Sequence, residues 1–262
     1  MKKSLVFLLV LAMSAMAFSF DDKDTNKADN RVTAAGTVLD EIESAPDTGI
    51  PEEVLSSAEC VAVVPSLLKG GFIVAARYGR GVASCRTPTG WSAPAFIFTS
   101  GGSFGFQIGG QAIDLVMLIM NKDGLKNLLS SKFELGADAS VAAGPVGRHA
   151  AADTDWKLRA QVLTYSRARG AFAGISLAGA VVKQDKDATR EFYGRMVPFR
   201  TALTGNVEAP KNAYPFLSVL AKWAQKAAKE DKPAENTKPP GTPKPAEPAK
   251  PADTTTSAPP QN

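Results

Sequence analysis

The spacing of apolar residues predicts helices on both sides of a central region with a different period. Between residues 28 and 45, apolar side chains recur every three or four positions, as in an amphipathic helix. A second, short helix should begin at Pro51, because proline is favoured at the first helical position. The same helical pattern predicts further helices over residues 121–131, 185–193 and 214–229.

The central region, from Cys60 onward, consists of short apolar segments separated by glycine and proline. Several short strands at such spacing are typical of an antiparallel sheet or barrel, and Gly170 should form the turn of the last hairpin. The predicted fold is therefore α+β: a twisted, glycine-rich antiparallel sheet or barrel-like core with flanking helices. The expected strands are 60–64, 71–78, 81–86, 93–99, 104–110, 113–120, 135–143, 159–169 and 171–183.

The beginning of the chain has the pattern of a secretory signal. Lys2 and Lys3 precede a short apolar run over residues 5–13, and Ala15-Met16-Ala17 follows as a small-residue cleavage site. An uncleaved anchor is the alternative. We therefore expect a signal peptide over residues 1–17 and an exported protein that is periplasmic or secreted and can be peripheral to a membrane.

The end of the chain is rich in proline. Residues 233–262 hold nine of the 18 prolines and no aromatic residue, a composition that favours extended polyproline II over a packed core. We expect residues 230–262 to form a disordered tail, which serves either as a tether to the cell wall or only as a solubilising segment. The part between the two ends, residues 28–229, should form a single domain with a C-terminal helix.

Composition and charge exclude several classes of function. Of the 262 residues, 30 are Lys or Arg, 26 are Asp or Glu, and one is His. The excess of three bases within residues 18–229 is too small to indicate nucleic-acid binding. With a single His and no Cys-x-x-Cys, the chain offers little for a zinc site. We expect no metal and no cofactor.

One catalytic motif occurs in an unsuitable context. Residues 101–105 match Gly-x-Ser-x-Gly around Ser103, and His149 follows later in the chain, as in an α/β-hydrolase. A nucleophilic serine of that class needs a strand before it and a helix after it, whereas the residues after Ser103 alternate like a strand. We therefore expect no enzymatic activity, and interpret His149 as a loop residue.

Two further features predict contacts inside the domain. Asp114 lies in an apolar segment, so its carboxylate needs hydrogen bonds from backbone N–H groups or an arginine partner. Cys60 and Cys85 are the only cysteines, and in an exported protein two cysteines favour one disulfide. Two buried thiols are the alternative.

The last predicted helix, 214–229, has both an apolar and a basic stripe. Phe216, Leu220 and Trp223 share one side, and lysines share another. Such a helix can lie on a membrane surface or pack on the domain with its lysine stems over the apolar stripe. We favour packing, because a free helix would expose the apolar stripe.

Several segments together form a recognisable signature; they are Cys60–Pro65, Lys69–Phe72, Tyr78–Val82, Gly101–Gly110, Asp114–Leu118, Gly170–Leu177 and Phe192–Gly194. They resemble the SYLF domain family, also called the Ysc84 actin-binding domain, in the expected order across residues 28–195. The resemblance implies an α+β domain without known catalysis. It further implies phosphoinositide-membrane binding and, in some eukaryotic members, actin binding and bundling. For a secreted bacterial member we expect the lipid binding to persist and actin not to be a partner.

The function expected from these observations is peripheral lipid binding. The domain should bind anionic phospholipid or phosphoinositide-like headgroups at a membrane surface without catalysis. The alternative is a structural or interaction protein of the envelope, tethered to a protein or cell-wall partner by the tail. The candidate lipid contacts are Lys69, Arg77 and Arg80, which flank predicted turns, followed by Arg159 and Arg167.

Overall fold

The computed structural model describes residues 27–43, 49–71, 74–104, 109–146, 160–168, 171–174 and 177–230. The helices are α1 (Ala28–Glu43), α2 (Glu52–Ser56), α3 (Lys122–Leu128), α4 (Lys186–Tyr193), α5 (Phe199–Leu203) and α6 (Tyr214–Glu230), with a 3-10 helix at Lys211–Ala213. The strands are β1 (Cys60–Gly71), β2 (Val74–Thr87), β3 (Gly90–Trp91), β4 (Ala95–Phe104), β5 (Gly109–Ile119), β6 (Lys132–Glu134), β7 (Val141–Ala143), β8 (Val162–Ala168), β9 (Ala171–Gly174) and β10 (Ala180–Gln184). The predicted α+β class is confirmed.

Some of the predictions fall outside the described residues. They are the signal peptide over 1–17, tail residues 231–262, the lipid-contact candidate Arg159, the loop histidine His149 and the turn residue Gly170.

The strands form one curled sheet in the order β6-β10-β4-β2-β1-β5-β8-β7, with β3 paired to β2 and β9 paired to β8. Every pairing is antiparallel except that of β7 with β8. The prediction of a purely antiparallel sheet is therefore wrong at this edge. A long connection between β7 and β8 allows the chain to return in the same direction, as a parallel pair requires.

Glycines inside β2 explain why the predicted strands 71–78 and 81–86 are one strand. A Cβ at Gly79 would lie 2.5 Å from a methyl of Val64, and one at Gly81 would lie 2.0 Å from the carbonyl oxygen of Val63. These glycines thus permit β1 to approach closely, at the place where its register with β2 shifts. The sequence pattern was interpreted as a turn, but the glycines mark a close backbone approach.

Other boundaries also differ from the predictions. Most of the expected strand over 104–110 lies outside the described residues; of its ends, Phe104 belongs to β4, and Gly109 and Gly110 belong to β5. The expected strand over 171–183 is divided: β9 continues the hairpin with β8, whereas β10 pairs with β4 and β6. Helix α5, which was not predicted, buries Phe199, Ala202 and Leu203 within five residues. Such a short helix carries too little periodicity to be found from sequence.

The sheet has two faces, each covered by a different set of helices. The front face carries Val61, Val63 and Val82, and these pack with α1 and α6 in one hydrophobic cluster. The back face carries Ala62 and Val64, which pack with α3 and α5 in a second cluster. Side chains alternate between the faces along each strand, so register decides which residues can act together.

Helix α6 packs on the domain, as favoured from its apolar stripe. Phe216 and Leu220 are fully buried and Trp223 is 5% exposed, all within the front cluster. A Cβ at Gly36 of α1 would lie 2.3 Å from the carbonyl oxygen of Pro215, so glycine lets the two helices meet. The apolar stripe of α6 is therefore a part of the core.

Candidate functional site

Two of the predicted lipid contacts, Lys69 and Arg77, face one another across the β1–β2 hairpin. They form a register pair near its closed end, on the back face of the sheet, and both side chains are partly exposed. Gln111 of β5 is paired with Lys69, and Gly101 of β4 is paired with Arg77. The structure thus brings two cations together where these four strands end.

Arg80, the third predicted contact, lies on the opposite face. It is separated from Arg77 by three positions of one strand, so the two side chains point to different sides of the sheet. The prediction that Arg80 flanks a turn, as Lys69 and Arg77 do, is therefore wrong. It depended on a turn near Gly79, where the structure has continuous strand.

Arg80 belongs instead to a polar network at the edge of α1. Its Nε donates to the hydroxyl of Tyr78 over 3.0 Å and lies 3.7 Å from the Asp185 carboxylate. The same carboxylate accepts a hydrogen bond of 3.3 Å from Arg31, whose side chain is 2% exposed. Burial lowers the pKa of Arg31, and the nearby Asp185 charge opposes this shift.

Asp185 also begins helix α4. Its Oδ1 accepts a hydrogen bond of 3.1 Å from the backbone N–H of Ala188, which is the geometry of an N-cap. One carboxylate therefore joins α1, α4 and the sheet. This arrangement has a structural role, and the Arg31 side chain is buried within it instead of being exposed at a surface.

Arg167, another predicted contact, is neutralised by two carboxylates. Its Nη2 lies 2.7 Å from Asp114, and it also forms an ion pair with Glu41 of α1. Asp114 in addition accepts a hydrogen bond of 3.0 Å from the backbone N–H of Ser66, where β1 bulges. Burial raises the pKa of Asp114, and this hydrogen bond acts in the opposite direction. Asp114 thus has both kinds of partner expected from its apolar surroundings, a backbone N–H group and an arginine. Arg167, which pairs with Asp114 of β5 and Glu41 of α1, connects α1 to the sheet.

Arg86, from the same hairpin, has a structural role at the far end of β2. Its guanidinium donates to the carbonyl groups of Ala58 and Ser56 over 2.8 and 3.1 Å, which satisfies groups at the end of α2. It also lies 4.7 Å from the centroid of the Trp91 ring.

A group of residues that sequence reasoning missed lies on the front face near Arg80. Phe98 is paired with Arg80 on one side and with Lys183 on the other, and the ammonium of Lys183 lies 4.5 Å from the centroid of the Phe98 ring. Lys132 is in turn paired with Lys183. The alternation in β10 could have shown that Lys183 points away from the back face. Its neighbours come from distant segments that only the sheet pairing brings together.

Catalytic and metal sites find no support in the described part of the structure. The backbone of Ser103 lies within β4, so the strand–turn–helix context of a nucleophilic serine is missing there. Within the described ranges, no three His, Cys, Asp or Glu residues cluster as metal ligands. None of the helices seen in these ranges has the length and apolar character needed to cross a bilayer.

The two cysteines form a disulfide in the structure. Cys60 and Cys85 are a register pair of β1 and β2, at the opposite end of the hairpin from Lys69, and both are buried. The bridge therefore joins two adjacent strands that are already paired.

Comparison with known proteins relates this fold to regulators of actin. Residues 100–223 match the Ysc84 family model, described as Las17-binding protein actin regulator. The chain is 34% identical to SH3 domain-containing YSC84-like protein 1 of Bos taurus over 75% of its own length and 62% of that protein. It is 37% identical to the Mus musculus protein of that name, over 70% and 54%. With LAS seventeen-binding protein 3 of Saccharomyces cerevisiae it shares 35% identity, over 66% and 39%.

These similarities correct part of the sequence interpretation. The chain spans about two fifths to three fifths of the length of these relatives, which are eukaryotic, and they give no support to a bacterial secreted member. The family description names actin, at odds with the expectation that actin is not a partner. The family description and the yeast relative's name refer to binding and regulation and to no catalysed reaction. The match to the family model and the similarity to these relatives show that the chain belongs to the Ysc84/SYLF domain family.

Proposed function

We propose that the domain is a non-enzymatic interaction module that binds anionic phospholipid, including phosphoinositide-like headgroups, through the closed end of the β1–β2 hairpin. The observation that carries this proposal is the register pair of Lys69 and Arg77. Two cations on adjacent strands can contact neighbouring anionic headgroups at the same time. Each basic residue near an anionic surface contributes about 1 kcal/mol to membrane binding.

The surroundings of this pair favour contact with a surface. On the back face, the register partners that flank the pair are Gly101, which has no side chain, and Gln111, which is exposed and uncharged, so neither of them opposes the two cations with a carboxylate. Arg80 and Arg167, which were also predicted as contacts, should contribute less to membrane binding, because each of them pairs with a carboxylate. Arg159 remains a predicted contact.

Vesicle flotation with paired charge reversals tests the proposal. The test variant is Lys69→Glu with Arg77→Glu. The matched control is Lys122→Glu with Lys126→Glu, which alters the net charge equally but lies on α3, at the opposite end of β5. We expect wild type and control to float with vesicles containing phosphatidylserine and not with neutral vesicles. The test variant should remain in solution with both, while circular dichroism shows an unchanged fold.

Two results would count against lipid binding through this pair. One is equal flotation of the test variant and the control. The other is equal flotation of wild type with neutral and anionic vesicles, because the attraction would then not depend on charge.

A second candidate function is binding of a protein partner without lipid. It is favoured by the family description, Las17-binding protein actin regulator, and by the name of the yeast relative, LAS seventeen-binding protein 3. In this version the domain is a structural or interaction protein, and the proline-rich tail tethers it to its partner or to the envelope. Deletion of residues 231–262 should then release the protein from its cellular site, whereas a lipid-bound protein should stay in place.

Export of the protein is also a proposal. The sequence of residues 1–17 supports it, and so does the disulfide, since such bonds persist mainly in oxidising compartments. Mass spectrometry of the protein purified from its own cells tests it. A chain that begins at Phe18 is expected, and a chain that retains Lys2 and Lys3 would contradict it.

A further inference from the structure

Helix α1 covers only a part of the front face. It crosses the strands, since Arg31 lies near Phe96 of β4 and Glu41 contacts Arg167 of β8. Beside α1, toward the closed ends of the hairpins, the front face continues across β6, β10, β4, β2, β1 and β5. We call this area, which no described element covers, the open strip; its residues are Arg80, Phe98, Lys183, Lys132, Val181, Tyr78 and Leu68.

The row of the open strip next to α1 is cationic. Lys132 and Lys183 are directly opposite one another on paired strands, an arrangement of like charges that destabilises a sheet. Both are exposed, and in the described ranges neither has a carboxylate within salt-bridge distance. Arg80 continues the row beyond Phe98. Because the described ranges supply this pair with a ring contact from Phe98 but with no carboxylate, its charge arrangement suits an anionic partner.

The next row is mainly apolar and at least partly exposed, and it ends on β6 at Glu134, the register partner of Val181. Tyr78 and Leu68 are a register pair with 41% and 39% of their surface exposed, and they are among the few large apolar residues exposed in the described structure. The Tyr78 ring packs edge-on against Phe98, with centroids 4.9 Å apart. Val181 extends the row toward β6. The apolar row and the cationic row therefore run side by side across the strands.

The size of the open strip corresponds to one helix. Six strands at about 4.8 Å spacing give a width of roughly 24 Å, which is the length of a helix of about 16 residues. Helix α1, with 16 residues, already crosses the adjoining part of the same face in this orientation. The strip is thus a second position for a helix beside α1.

We propose that the open strip binds an amphipathic helix of a partner protein, with apolar residues on Tyr78 and Leu68 and acidic residues along the flank that faces Lys132 and Lys183. The chemistry of the two rows defines this partner, because the cations require an acidic flank and the aromatic and aliphatic groups require an apolar stripe. The proposal is independent of lipid binding, since Lys69 and Arg77 lie on the other face of the sheet.

Binding of two labelled peptides to the full chain tests this proposal. Both are synthetic 16-residue helices with the same leucine stripe; one carries Glu along the flank, and the other carries Lys at the same positions. We expect saturable fluorescence-anisotropy binding of the Glu peptide, and at least tenfold weaker binding of the Lys peptide. The variant Lys132→Glu with Lys183→Glu should lose at least tenfold affinity for the Glu peptide and gain affinity for the Lys peptide.

Two other variants separate this surface from the proposed lipid site. Lys122→Glu with Lys126→Glu, and Lys69→Glu with Arg77→Glu, should each bind the Glu peptide within about twofold of wild type. The proposal is overturned if the Glu peptide does not bind, if both peptides bind equally, or if reversal at Lys132 and Lys183 has no effect. It is also overturned if this reversal abolishes flotation with anionic vesicles, because the strip would then be a membrane surface.

Discussion

The buried carboxylate of Asp185 permits a quantitative prediction for the substitution Asp185→Ala. The side chain is 6% exposed, and it caps α4 while pairing with Arg31, which is 2% exposed. Loss of an N-cap costs about 1 kcal/mol. Leaving a buried charge without its partner costs about 3–5 kcal/mol. We therefore expect Asp185→Ala to lower the free energy of unfolding by about 4–6 kcal/mol, a large share of the ~5–15 kcal/mol of a typical domain.

The opposite substitution, Arg31→Met, should cost less than half as much. It removes the buried charge and keeps an apolar side chain near Phe96. Asp185 then retains its hydrogen bond from Ala188 and its proximity to Arg80. The two substitutions thus differ because only Asp185→Ala leaves a guanidinium buried without a partner.

Urea unfolding of the full chain, followed by circular dichroism at neutral pH, measures these differences. The matched control is Asp187→Ala, in the first turn of the same helix, where the carboxylate is 89% exposed and pairs with Arg190. This control should change stability by less than about 0.5 kcal/mol. Equal effects of Asp185→Ala and Asp187→Ala would refute the reasoning, and so would a larger cost for Arg31→Met than for Asp185→Ala.

The other predictions concern the disulfide and the packing of α1 and α6. Replacement of Cys60 and Cys85 by Ala should lower stability by about 3.5 kcal/mol, the chain-entropy value for a separation of 25 residues; two reactive thiols in oxidised, denatured wild type would show that no bridge forms. Trp223→Ala should lower the free energy of unfolding by about 3–5 kcal/mol, because the side chain is buried. The control Tyr214→Ala, at a residue that is 72% exposed, should leave the melting temperature nearly unchanged. If Trp223→Ala weakened vesicle binding without altering the melting temperature, the packing of α6 on the domain would be contradicted. Gly36→Ala should lower the melting temperature, because the added Cβ would meet a backbone carbonyl of α6 at 2.3 Å. This effect should exceed the intrinsic helix propensity of alanine, which is about 1 kcal/mol more favourable than that of glycine. A raised melting temperature would show that the two helices separate easily.

Features that depend on local sequence were predictable. The helical period predicted α1 from its first residue, Ala28, through the whole of its described range, and the acidic start of α4 was found because Asp185 caps it through a local hydrogen bond. The sequence also predicts the types of partner that Asp114 has, a backbone N–H group and an arginine, because a carboxylate in apolar surroundings requires such partners. These are consequences of short-range chemistry.

Features that depend on strand pairing were not predictable. Gly79 and Gly81 looked like turn residues, because nothing in their own segment shows that β1 passes close to them. That error placed Arg80 with Arg77, although alternation along one strand puts them on opposite faces. The opposition of Lys132 and Lys183 needs a pairing between segments about fifty residues apart, which the local pattern of neither segment specifies.

The central claim is that Lys69 and Arg77 bind anionic lipid. It is tested most directly by the partitioning of the full chain between buffer and neutral vesicles that contain increasing amounts of phosphatidylserine. Two bases at about 1 kcal/mol each predict partitioning about 30-fold weaker for Lys69→Glu with Arg77→Glu, as a minimum. The wild-type value should rise with the fraction of anionic lipid and fall as salt shortens the Debye length. Partitioning that is independent of anionic lipid, or that is equal for wild type and this variant, would contradict the account.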